Sequence, residues 1–318
     1  MTITAVPGVR VGHAEVPGKK SGCTVILGPF RGAVEVRGMA TGTRELGVLS
    51  PYHLVDRVNA VLLTGGSAFG LAAADGVMEW LAERGEGFDT GVAPVPLVPA
   101  GVIFDLSPGV PRPGRDEGWR ASDTATSAPV LEGQVGAGAG ATVGKLLGAG
   151  KASAGGIGTT SAGWGDGTIG VLMVVNALGD VLADDGAVLA GIKGPAGTFQ
   201  RSDALLLEGG DFHPGKPGMN TTLAVVATDV PLSRVDLGRL AKMVSSAFPR
   251  AISPVHTPFD GDLVFALSTA VAEMPFPPKD LLALGVVARD LTETAIRRAV
   301  TVSAGMDGMD GISPGIER

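Results

Sequence analysis

The chain has 318 residues, 45% of them hydrophobic and 18% charged, with 50 glycines, which excludes a disordered chain and fits a globular, loop-rich one. A net charge of −7, with no basic cluster beyond short pairs such as Lys19-Lys20, excludes tracking of a phosphate backbone and hence a nucleic-acid partner. Cys23 is the only cysteine, so no intrachain disulfide can form, and a cytoplasmic address is expected. The first residues carry no basic and apolar leader pattern, and no apolar run is long enough to span a bilayer, so no membrane association is expected. Aromatic residues make up only 4%, and the mean hydropathy of +0.31 points to extensive burial, subunit interfaces included.

In chain order, residues 23–27 and 34–36 read as strands, separated by Gly28-Pro29 and Arg31-Gly32. Residues 59–64 form a further strand ending on Gly65-Gly66. A helix is predicted from Ser67 as N-cap to Leu81, with Phe69, Ala73, Val77, Trp80 and Leu81 on its buried face and Gly85 as its stop. The Gly/Pro-rich residues 107–115 read as a surface loop, and so do residues 159–166. A second helix is predicted over 139–147, a third over 235–248 and a fourth over 279–300. Ser233 and Asp236 resemble a capping box at the third. Strands are expected at 170–176, 224–228 and 263–267. This order is neither strict βαβ alternation nor all-β, and an α+β or layered α/β/β/α arrangement fits it best.

The stretch Asn220-Thr221-Thr222 stands between a Gly/Pro-rich run, 212–219, and an apolar strand. Threonine at a strand start is ordinary. The same placement also suits a chain that cuts itself and exposes a new N-terminal threonine. There the hydroxyl attacks and the free α-amine, with an ordinary pKa of about 7.7–8.0, accepts the proton. The glycine run 136–144 ahead of Lys145 fits neither a Walker loop nor a dinucleotide fingerprint, since Ala139 and Leu146 break the former. Its glycines instead permit close approach of backbones. Lys145 either snorkels to solvent or sits buried near a site with a lowered pKa. Asp260-Gly261-Asp262 reads as a solvated turn or as a carboxylate pair aimed at one site. Asn176, closing an apolar strand, is a strand-end cap or a donor to an oxyanion. The four histidines are scattered, so no metal site is expected, and no cofactor is implied.

Four segments occur in an order that resembles the DmpA-type peptidase family, which includes the D-aminopeptidase DmpA, β-peptidyl aminopeptidases and nylon-oligomer hydrolases. They are Val6-Pro7-Gly8-Val9-Arg10-Val11-Gly12-His13, residues 62–71 around Gly65-Gly66-Ser67, residues 135–140, and Asn220-Thr221-Thr222 with Val226-Ala227-Thr228-Asp229. The resemblance covers nearly the whole chain. It implies a sandwich of two sheets between helical layers, like that of N-terminal nucleophile hydrolases and ornithine acetyltransferases. It also implies one catalytic domain over 1–318 that cuts itself into an α chain, 1–220, and a β chain, 221–318. Carried over by position, it makes Thr221 the nucleophile, Asp260 and Asp262 the acidic pair that steadies it, and Lys145 and Asn176 the active-site lysine and oxyanion-side asparagine. The Asn220-Thr221 junction and Asp-Gly-Asp lean toward the nylon-hydrolase branch. Residues 115–119 replace an aromatic-rich segment of the aminopeptidase branch.

The expected activity is hydrolysis of small linear amides or peptides (β-peptides, D-residue peptides or 6-aminohexanoate oligomers) through an acyl-enzyme on Thr221. Thr222 is the alternative nucleophile. The expected partners are the substrate, the two fragments of one precursor, and further copies in a homo-oligomer, a tetramer being favoured. An acyltransferase like the ornithine acetyltransferases and an uncleaved inactive homologue are the rival readings.

Overall fold

The computed structural model describes residues 1–209, 212, 213, 215 and 219–305. The rest of the Gly/Pro-rich stretch before the junction, and the end of the expected β chain, lie outside the described residues. Nine strands form one mixed sheet. Its order runs Gly156–Trp164, Gly167–Asn176, Thr221–Thr228, Leu263–Ser268, Gly22–Val36, Arg57–Thr64, Ala100–Val102 and Thr43–Arg44, with Arg10–Glu15 added beside Gly22–Val36. Thr221–Thr228 and Leu263–Ser268 are parallel, and Gly167–Asn176 lies antiparallel to the former.

The long strand Gly22–Val36 turns this sheet into a sandwich. Its first part pairs with Arg57–Thr64, its last part pairs with Leu263–Ser268, and the register shifts between Leu27 and Phe30. A shift of this kind bends a strand. The two layers expected from the resemblance are therefore halves of one continuous sheet.

Side-chain alternation then defines three cores. Leu223, Val225 and Ala227 face Ile26, Val61 and Leu63 in the layer between the half-sheets. Ala224 and Val226 face the opposite way, onto helices Arg234–Ser245 and Pro278–Ser303 through Leu240, Val244, Ala288 and Ile296. Val25, Leu27, Ala60 and Leu62 of the other half-sheet pack on Val77, Trp80 and Leu81 of helix Ala73–Ala82 and on Ala121 of helix Arg115–Asp123. The result is four layers, α/β/β/α.

The late helices begin where their chemistry dictates. Ser233 Oγ accepts the Asp236 N–H at 3.1 Å, and Pro278 stands at a first-turn position that needs no N–H. The Asp236 carboxylate bonds the Ser233 hydroxyl, so the expected capping box closes on the side chain.

Several local expectations are overturned. No helix forms over 139–147: Gly136–Gly138 is a 3-10 turn, and Thr142–Val143 a short strand. Gly144 has φ +71, and a Cβ there would lie 2.2 Å from the Gly191 carbonyl carbon, so this stretch packs by backbone contact. Ser67 is not an N-cap. It has φ +51 and opens a 3-10 turn, Ser67–Ala72, ahead of the α-helix, which leaves Phe69 60% exposed. Residues 159–164, read as loop, belong to the strand Gly156–Trp164, whose small residues let helix Pro278–Ser303 approach: a Cβ on Gly158 would meet the Ala295 carbonyl oxygen at 2.0 Å.

Candidate active site

The end of one strand and the starts of two others meet at the junction. Asn176 closes Gly167–Asn176 and is the cross-strand partner of Thr221. Because alternation places Leu172 and Val174 in the inter-sheet layer with Leu223 and Val225, Asn176 and Thr221 share that face. Thr222 has the opposite parity and lies on the side of the late helices. On the other flank the parallel register sets Thr222 beside Asp262 and Thr221 beside Gly261, and Asn220 bridges to Asp260.

The Asn220 carbonyl oxygen is held from two sides. Thr221 Oγ donates to it at 2.5 Å and the Gly261 N–H at 2.8 Å. Gly261 has to be glycine: a Cβ there would fall 2.8 Å from Thr221 Oγ and 2.9 Å from the Ala40 carbonyl oxygen. Its role is a close approach to the hydroxyl, a signal that the Asp-Gly-Asp pattern alone does not reveal.

Asp260 and Asp262 are not on a solvated turn; both are buried. Asp262 Oδ1 accepts the Thr222 N–H at 2.6 Å, while Oδ2 faces His256 Nδ1 at 2.9 Å. Asp260 Oδ2 accepts from the Thr257 N–H at 2.9 Å and from Thr257 Oγ at 2.6 Å. Burial first, and the neighbouring Asp262 second, push the Asp260 carboxyl up to about 6. In the uncut chain the acidic pair thus anchors Thr222 and the 257–262 loop.

Lys145 is buried, which settles its side chain away from solvent. Its Nζ donates to the Asn176 carbonyl oxygen at 2.9 Å and to Asn176 Oδ1 at 2.8 Å. Burial lowers its pKa to about 7, against the opposing pull of Asp260, Asp105 and Asp262. Asn176 Oδ1 also accepts the Thr142 N–H, and Nδ2 donates to the Phe104 carbonyl oxygen at 3.2 Å, leaving one Nδ2 hydrogen for a further acceptor. A cavity of about 260 Å³ opens beside the junction, with Phe104, Asp105, Thr142, Lys145, Met219 and Asn220 among its walls. Asp105 is engaged in the fold: its Oδ1 accepts the Gly66 N–H at 2.6 Å and pins the Gly65-Gly66-Ser67 turn.

The structure therefore brings Lys145, Asn176, Asn220, Thr221, Asp260 and Asp262 together from four separate segments. A hydroxyl against a carbonyl, with N–H donors and a lysine of lowered pKa nearby, is the equipment of acyl transfer. A model of peptidase family S58 matches residues 2–313. The chain belongs to peptidase family S58. As a family S58 member it is a hydrolase of amide or peptide bonds. It is 42% identical to an uncharacterised aminopeptidase of Mycobacterium tuberculosis (strain ATCC 25618 / H37Rv), over 86% of this chain and 83% of that one. It is 32% identical to the 6-aminohexanoate-oligomer endohydrolase of Kocuria sp. (strain KY2), over 92% and 84% respectively. Its fold matches the L-aminopeptidase D-Ala-esterase/amidase of Ochrobactrum anthropi, described as a variant of the Ntn hydrolase fold. The TM-score is 0.70 at 23% identity, covering 94% of this chain and 85% of that one. No helix among the described residues is long and apolar enough to cross a membrane.

Proposed function

We propose that this family S58 hydrolase processes itself between Asn220 and Thr221 and then uses Thr221 as an N-terminal nucleophile. The observation that carries the reading is the Asn220 carbonyl oxygen held between Thr221 Oγ and the Gly261 N–H. In the precursor, Thr221 Oγ attacks the Asn220 carbonyl carbon and gives up its proton. Negative charge then develops on an oxygen that already faces the Gly261 N–H. The C–N bond breaks, Thr221 nitrogen takes a proton, and an ester joins Asn220 to Thr221 Oγ. Water hydrolyses that ester, freeing the Asn220 carboxylate and the Thr221 hydroxyl, beside the amine that the shift has already released. Thr221 nitrogen is an amide before the cut and cannot act as base. Lys145, half-neutral near pH 7, suits that role in the precursor, and the freed amine takes it over afterwards.

In the mature enzyme the Thr221 hydroxyl attacks a substrate amide, and Asn176 and Lys145 offset the charge of the tetrahedral intermediate. Thr222, facing the other side of the sheet, is the poorer nucleophile. The cavity beside the junction is at the small end of ligand sites and favours small linear amides or peptides, including β-peptides, D-residue peptides and 6-aminohexanoate oligomers. A homo-oligomer, a tetramer in the first instance, fits the apolar composition.

Intact mass under denaturing conditions, on wild type beside Thr221→Ala, tests the reading. Two fragments, 1–220 and 221–318, in wild type and one chain in the variant are expected. One uncut chain in both sinks it.

A further inference from the structure

Asp262 has no exposed surface, yet its oxygens are claimed by two different segments. One oxygen takes the Thr222 N–H at 2.6 Å. The other takes the His256 main-chain N–H at 3.2 Å and the His256 ring nitrogen Nδ1 at 2.9 Å. A carboxylate only accepts, so Nδ1 carries the proton in this contact, and it does so whether the ring is neutral or charged.

His256 is held in an uncommon backbone conformation to make both bonds. Its φ is +57, in the left-handed region that non-glycine residues occupy only where surroundings impose it. The ring is stacked on Phe248, with centroids 5.4 Å apart and planes at 28°. Its side chain is 22% exposed against 0% for Asp262, so His256 is where this buried carboxylate meets the protein surface. The neighbouring Thr257 binds Asp260 through its own N–H and hydroxyl. Consecutive residues of one loop thus hold the two acids.

We infer that His256 is a positioning residue for the reaction at Thr221. It locks Asp262 against the Thr222 N–H and thereby fixes the start of the strand from which Thr221 presents its hydroxyl to the Asn220 carbonyl. His256 contacts the carboxylate, and it acts on the junction only through Asp262. The inference rests on the proposed self-cleavage, and the test separates the two.

The precursor is made by cell-free synthesis and its cleavage followed by denaturing electrophoresis, for wild type, His256→Ala and His256→Asn, with thermal midpoints of the purified proteins as the folding control. Asparagine tolerates the left-handed conformation and offers a side-chain N–H in place of Nδ1. Losing a hydrogen bond to a charged group slows a step that depends on it by about ten- to a hundredfold. His256→Ala is expected to cut that much more slowly than wild type, and His256→Asn to recover to within about threefold of wild type by the same scale. Cleavage of His256→Ala at the wild-type rate overturns the inference. So does a folded His256→Asn as slow as the alanine variant, because a general packing role predicts no rescue by a donor. If His256→Ala does not fold, His256→Asn against wild type decides on the same criterion. A wild type that stays uncut defeats the self-cleavage reading and this one with it. A cut wild type beside an unaffected His256→Ala defeats only the role of His256.

Discussion

Replacing Lys145 with Met, in a Thr221→Ala background that keeps one intact chain, isolates the cost of burying this ammonium. The Lys145 pKa falls from 10.5 to about 7, chiefly by burial. At 1.36 kcal/mol per unit, that interval disfavours the charged form in the folded protein by about 5 kcal/mol. The sign follows from proton counting. The unfolded chain keeps this proton up to 10.5, whereas the folded one releases it near 7. Between these values the unfolded state binds more protons, so raising the pH favours folding. Urea denaturation at half-unit steps from pH 7.5 to 9.5 should show the lysine protein gaining about 1.4 kcal/mol per pH unit relative to the Met variant. Met also removes the donor to the Asn176 carbonyl and one of the two donors to Oδ1, costing about 1–3 kcal/mol, but that offset is constant with pH and leaves the slope intact. A difference between the two proteins that stays flat across the window refutes the reasoning, because it means that Lys145 ionises at an ordinary value.

Gly261→Ala drives a Cβ to 2.8 Å from Thr221 Oγ, and self-cleavage should be slowed about a hundredfold or more, read by intact mass over time; complete cleavage at the wild-type rate counts against the arrangement. Thr257→Val deletes the 2.6 Å hydroxyl donor to Asp260. The Asp260 carboxyl, already at about 6, should rise further, moving the acid limb of the self-cleavage pH profile upward by about one unit; an unmoved limb shows that Asp260 does not govern it. Phe265→Ala empties a fully buried site between the half-sheets and should cost about 3–5 kcal/mol in urea denaturation, with a loss under 1 kcal/mol indicating that the layer is not close-packed there.

What the sequence made legible follows from where burial imposes a period. Helices Arg234–Ser245 and Pro278–Ser303 and strands Thr221–Thr228 and Leu263–Ser268 bury a regular face or both faces, and their apolar spacing shows it. Helix Arg115–Asp123 has no such stripe and was not anticipated, because it packs through small residues such as Gly118 against Ala73. The 139–147 helix failed for the converse reason, since the spacing of its alanines and leucines suggested a turn that its glycines do not take. At the candidate site, pattern and family resemblance together single out Thr221, Asn176, Lys145, Asp260 and Asp262, and the fold places these residues around one junction. The contacts of His256 and Gly261 were hidden. A left-handed backbone angle and a missing Cβ leave no periodic trace, and a histidine six residues ahead of Asp262 is the only clue that the sequence offers.

The continuous sheet has a consequence for how such a protein can be made. Thr221–Thr228 and Leu263–Ser268 sit side by side in its middle, flanked by Gly167–Asn176 on one side and Gly22–Val36 on the other. The piece 1–220 on its own would present a sheet with two interior rungs missing and two long, unpaired edges facing each other across the gap. The piece 221–318 would present those two rungs with neither neighbour. Expressing the two halves from separate genes should therefore yield aggregates where the single gene yields folded protein: under the proposed self-cleavage, the peptide bond at the junction is needed until the sheet has closed and can be given up only afterwards.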